Sequence, residues 1–78
     1  MKPLYGFLEG DTVGLVVLAA ENDSMAELAA KLQAAAAVRV APSGPVHVEV
    51  RGARVADDVT VSGARLAALD RFDVRRGR

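Results

Sequence analysis

Apolar residues recur at a helical period in one stretch of the chain and at or near a period of two almost everywhere else. The helical stretch is Ser24–Ala36, in which Met25, Leu28, Ala29, Leu32, Ala35 and Ala36 make one apolar stripe. Ser24 and Glu27 form a capping box, in which each side chain satisfies a backbone N–H at the helix start. Glu27 also places a negative charge in the first turn, where the helix dipole favours it. The segment holds only good helix formers, with no Gly, Pro or β-branched residue.

Extended stretches lie on both sides of it. Leu4–Leu8 predicts a short strand, Glu9-Gly10-Asp11 a hairpin loop, and Thr12–Ala19 a second strand. After the helix, Val38–Ala41 reads as a brief extended piece and Pro42-Ser43-Gly44-Pro45 as a loop. Val46–Arg51 alternates, with Val46, Val48 and Val50 inward and His47, Glu49 and Arg51 toward water. Ala53–Ala56 suits a short return strand, Asp57-Asp58 a turn, and Thr60–Leu66 a tight helical turn. Arg71–Arg75 is the last strand, with Phe72 and Val74 inward, and residues 75–78 are expected to fray.

One amphipathic helix against one sheet is an α+β two-layer arrangement, here a single domain over residues 1–78. With the first and last strands side by side and the hairpin partner at one edge, the order predicts a β-grasp. Four to five strands would form its mixed sheet. The closing segment TVSGARLAALDRFDV independently resembles the end of ubiquitin-like domains, with Thr60, Val61, Ser62, Leu66, Phe72 and Val74 at the matching places.

Composition narrows the chemistry. Fifteen of the apolar residues are Ala, so the bulky core set is mainly 12 Val and 8 Leu. Net charge is zero but divided, about −3 over residues 1–36 and +3 over the rest. A nucleic-acid partner is not expected, because the basic excess that usually marks one is missing. With no Cys there is no disulfide framework or thiolate metal site. The start does not read as a signal peptide, no segment is long and apolar enough for a membrane, and a cytoplasmic location is expected.

Neither a catalytic, cofactor-binding nor metal-binding residue stands out. His47, the sole His, sits on an outward strand face and reads as structural. Asp57-Asp58 reads as turn chemistry. The cluster Arg71, Arg75, Arg76 and Arg78, with Arg51 and Arg54, is interleaved with Asp70 and Asp73, so a solvated or partner-facing surface is the expectation. The hairpin is the exception to the amphipathic rule. Val16 and Leu18 oppose Val13, Leu15 and Val17, and Tyr5 with Phe7 opposes Leu4 with Leu8. One helix covers only one sheet face, so an apolar set is left to face a partner, or else the 38–45 loop or the N-terminus folds over it.

From Phe7 through Ala41 the sequence resembles the small subunit, protein B or γ, of the toluene-monooxygenase type of bacterial multicomponent hydroxylase. The residues that carry this are Glu9, Asp11, Val16-Val17, Asn22-Asp23-Ser24-Met25, Ala30, Lys31 and Arg39-Val40-Ala41-Pro42. Val46–Val50, Asp58, Thr60, Val61, Leu66, Asp73 and Val74 follow in the family's order, while Gly63-Ala64-Arg65 departs from it and the Pro42–Pro45 loop is short. The resemblance implies a non-catalytic subunit of an aromatic-hydrocarbon monooxygenase. It would bind no cofactor itself and support an α subunit holding a di-iron centre. Its partners would be the α and β subunits in an (αβγ)2 assembly served by a Rieske ferredoxin, a reductase and an effector. Candidate interface residues are Tyr5, Phe7, Val16, Leu18 and Arg39. The alternatives are a ubiquitin-like adaptor of the type VII secretion kind, which shares the TVS…L ending, and a sulfur carrier. The Arg76-Gly77-Arg78 ending departs from the free Gly-Gly of such carriers.

Overall fold

The computed structural model describes residues 1–42 and 44–77, so Ser43 of the expected loop and Arg78 of the tail lie outside the described residues. Along the chain run β1 (Lys2–Leu8), β2 (Gly14–Ala19), α1 (Met25–Ala36), β3 (Val46–Val50), β4 (Ala53–Val55) and β5 (Arg71–Arg76). They form one five-stranded sheet in the order β2-β1-β5-β3-β4, with β1 and β5 parallel at its centre and the other neighbours antiparallel.

Both halves of the capping box are present. Glu27 N–H donates to Ser24 Oγ at 3.1 Å and Ser24 N–H to Glu27 Oε1 at 2.9 Å. Met25, Leu28, Ala29, Leu32 and Ala36 are buried against the sheet, whereas Ala35 is exposed. At about 100° per residue Ala35 falls at the margin of the stripe and turns to solvent. The helix can sit close because Gly6 has no side chain. A Cβ there would lie 2.7 Å from Phe72 Cζ and 2.9 Å from Leu32 Cδ1. Leu4, Leu8, Val17, Val48, Val50, Val61, Leu66, Phe72 and Val74 complete an apolar core.

Several boundaries differ from the pattern's expectation, β3 and β4 each ending one residue early. β1 begins at Lys2, since Pro3 pairs with Leu18 and its missing N–H lies beyond the first β1–β5 pair, Tyr5 with Arg71. β2 begins at Gly14 because Asp11 Oδ1 accepts the Val13 N–H and keeps Thr12 and Val13 in the loop. Val13 is therefore exposed and does not share the buried face of Val17. Val38–Ala41 is not extended: Arg39 and Val40 N–H both donate to Ala36 O at 2.9 Å, winding the chain onward to satisfy a helix-end carbonyl. Finally, β5 runs through Arg76, one residue beyond the expected strand end. Arg76 pairs with Val46, donates its N–H to Glu9 Oε1 at 2.8 Å, and is followed by a bond from Gly77 N–H to Pro45 O.

The turn after β4 closes one end. Val61 and Ser62 N–H donate to Asp23 O and Glu21 O, and an isolated bridge joins Ser24 to Thr60. Val61 and Leu66 are thereby set into the core.

Candidate interaction face

Alternation along paired strands decides what the uncovered sheet face presents. From β2 come Val16 and Leu18, and opposite them on β1 stand Tyr5 and Pro3. Val16 is 59% exposed, Leu18 57% and Tyr5 42%. Phe7 is half-buried, its ring centroid 5.1 Å from that of Tyr5. Both rings lie over Gly14, where an added Cβ would stand 2.7 Å from Phe7 Cζ and from Tyr5 Cε1. Apolar surface therefore covers the half of the face built by β1 and β2.

The other half is charged. Arg71, Asp73 and Arg75 alternate on β5, His47 and Glu49 on β3, and Arg54 stands opposite Glu49 on β4. Arg71 marks the seam: its guanidinium stacks 4.0 Å from the Phe7 ring centroid and pairs with Asp73 at 3.0 Å. Such a cation over an aromatic face is attracted by the ring quadrupole. Beyond it, Glu49 joins Arg75 at 3.1 Å and His47 Nε2 at 2.9 Å. The Glu49 carboxyl is held below its usual range by the His47 bond first and Arg75 after it. His47 Nδ1 lies 2.9 Å from Gly77 O. That carbonyl, then Glu49, raises the His47 pKa.

Four of the five sequence-predicted interface residues, Tyr5, Phe7, Val16 and Leu18, are thus brought together. Arg39 is not. It stands in the turn after α1, where its guanidinium makes three bonds of 2.9–3.3 Å to Asp11. The Asp11 side chain is only 2% exposed, and its pKa is lowered chiefly by the Arg39 bond. Arg39 therefore ties the helix end to the hairpin loop. Neither the 38–45 turn nor the N-terminus covers Val16 and Leu18 among the described residues.

Sequence reasoning missed Leu69, which is 61% exposed and bonds through its N–H to Pro3 O. It also missed the Phe7–Arg71 stack. Leu69 lies in a loop without periodicity, and the stack depends on a parallel pairing across most of the chain. A surface depression lined by Arg51, Gly52, Asp70, Arg71 and Asp73 balances two cations against two carboxylates. Among the described residues no group of three or more His, Cys, Asp or Glu is placed to hold a metal ion. No helix among them is long and apolar enough to cross a membrane.

A mixed sheet of this order under one helix, presenting a face half apolar and half charged, defines a ubiquitin-like β-grasp domain. A ubiquitin of Caldiarchaeum subterraneum superposes with a TM-score of 0.78 at 17% identity, over 99% of this chain and 94% of that one. A chain from a structure on molecular mimicry of SUMO in DNA repair gives 0.71 at 14% identity, over 94% and 88%. These two show the fold alone. A chain of a toluene 4-monooxygenase HD complex with the inhibitor 4-bromobenzoate gives 0.89 at 26% identity, over 97% of this chain and 98% of that one. No curated protein matches the sequence. The chain matches the family Toluene-4-monooxygenase system protein B (TmoB) over residues 1–75 and belongs to that family.

Proposed function

We propose that this chain is the small, non-catalytic subunit of a toluene-type multicomponent di-iron monooxygenase, docking on the large hydroxylase subunit through the β1–β2 half of its open face. The observation that carries the reading is the exposure of Val16, Leu18 and Tyr5 on neighbouring strands in a member of the TmoB family. Contiguous exposed apolar surface of this kind usually marks a protein interface. Arg71, Asp73 and Arg75 flank it and supply the polar rim such interfaces carry.

In this reading the iron and the hydroxylation belong to the large subunit, and this chain binds and supports it within an (αβγ)2 assembly. This chain's own core is a continuous apolar cluster buried between helix and sheet. Co-expression with the α and β subunits of a toluene-type hydroxylase, followed by size exclusion, tests the assignment. Co-elution in equal proportion to the α subunit is expected. A chain that elutes alone as a monomer overturns it.

A further inference from the structure

The two edges of the sheet are built differently. β4 is three residues long and carries Arg54, whereas β2 runs six residues, Gly14–Ala19, with no charge and no proline. Edge strands offer unpaired N–H and C=O groups to other chains, and short length, charge or proline normally blunts them. β4 has two of these guards and β2 has none.

The register shows which groups of β2 are open. Tyr5 N–H donates to Asp70 O at 2.9 Å and Pro3 O accepts from Leu69 N–H at 2.7 Å. Pro3, Tyr5 and Phe7 therefore direct their backbone groups away from β2, and Lys2, Leu4 and Gly6 make the β1–β2 ladder with Ala19, Val17 and Leu15. By the same alternation Gly14, Val16 and Leu18 point theirs outward. Lys31 Nζ confirms the direction by reaching Leu18 O at 3.1 Å. Among the described residues, the Val16 and Leu18 N–H and the Gly14 and Val16 C=O have no protein partner. The residues with open backbone groups include the two whose side chains are most exposed on the face, Val16 and Leu18.

We propose that the open edge of β2 takes up an extended segment of the large hydroxylase subunit as a sixth strand, apolar at the alternate positions that flank Val16 and Leu18. This rests on the subunit reading above. A second copy of the chain fits less well. A β2–β2 contact is a strip about 20 Å long and about 10 Å deep, roughly 200 Å² per partner, well short of the ~800 Å² of a stable interface. A subunit seated on Tyr5, Phe7, Val16 and Leu18 reaches the edge without a break, because Val16 and Leu18 belong to both surfaces. Lys31, held by Asp23 at 2.7 Å, closes the Leu18 carbonyl and so bounds the pairing at that end.

Two substitutions at one position separate edge pairing from face packing. Val16→Pro keeps a three-carbon apolar side chain but removes the outward N–H, leaving the β1 ladder intact. Val16→Ala keeps the N–H and removes two methyl groups. Affinity for the α–β pair of the same hydroxylase is measured for both. Edge pairing predicts a loss of tenfold or more for Val16→Pro and under threefold for Val16→Ala. An equal loss, or a larger one for Val16→Ala, overturns the strand-addition proposal while leaving the subunit reading in place. No binding by the unsubstituted chain would instead overturn that reading. Should Val16→Pro fail to fold, hydrogen exchange of the unsubstituted complex decides. The Val16 and Leu18 amides should slow at least tenfold on binding, and unchanged exchange overturns the proposal.

Discussion

Gly6 governs how near the helix comes to the sheet. Its absent side chain leaves room for Phe72 and Leu32, both fully buried. Gly6→Ala should destabilise the chain by roughly 1–3 kcal/mol, the usual penalty for overpacking a tight core, seen as a lower denaturant midpoint. His47 makes a second residue-scale prediction. The Gly77 carbonyl and the Glu49 carboxylate both only accept, so holding both bonds requires the doubly protonated imidazolium. A folded pKa raised in this way contributes stability fully below the unfolded value of ~6.5, and loses it as pH rises through the folded value. Asp11, Asp23 and Glu49 have lowered values, so their contributions are present above ~4 and fade as pH falls further. Melting temperature should therefore peak in the weakly acidic range. In His47→Gln the decline on its alkaline side should flatten; an unchanged decline would show that another group causes it.

At the scale of elements, the helix start carries its own test. Ser24→Ala removes the acceptor for Glu27 N–H and should lower stability by about 1 kcal/mol, read from chemical denaturation, while Ser24→Asp should restore most of the loss. This cap was legible because it depends on two residues three apart. So were the strands whose alternation is clean, β3 and β5. The edges of elements were not. Asp11 cuts β2 short by bonding Val13 N–H, and Ala36 O draws Val38–Val40 into a further turn, both local hydrogen bonds that periodicity does not register. Nor could propensity show that Arg39 would pair with Asp11, 28 residues away.

For the molecule as a whole, the pattern carries one excess: more apolar strand surface than one helix covers. That excess places Tyr5, Phe7, Val16 and Leu18 on an open face and β2 at an unguarded edge. The charged half of the same face is held by ion pairs internal to the chain, Arg71–Asp73 and Arg75–Glu49. The arginines of these pairs are exposed and their carboxylates only partly so, and each such pair contributes little to stability.

Leu18→Asp tests the central claim most directly. Leu18 is more than half exposed, so in the free chain the change should shift the melting temperature by no more than about 5 °C, roughly 1 kcal/mol in a domain this size. In the complex the carboxylate would be buried against an apolar partner, and affinity for the large hydroxylase subunit should fall more than tenfold. Undiminished affinity in a folded Leu18→Asp chain would contradict docking through this face.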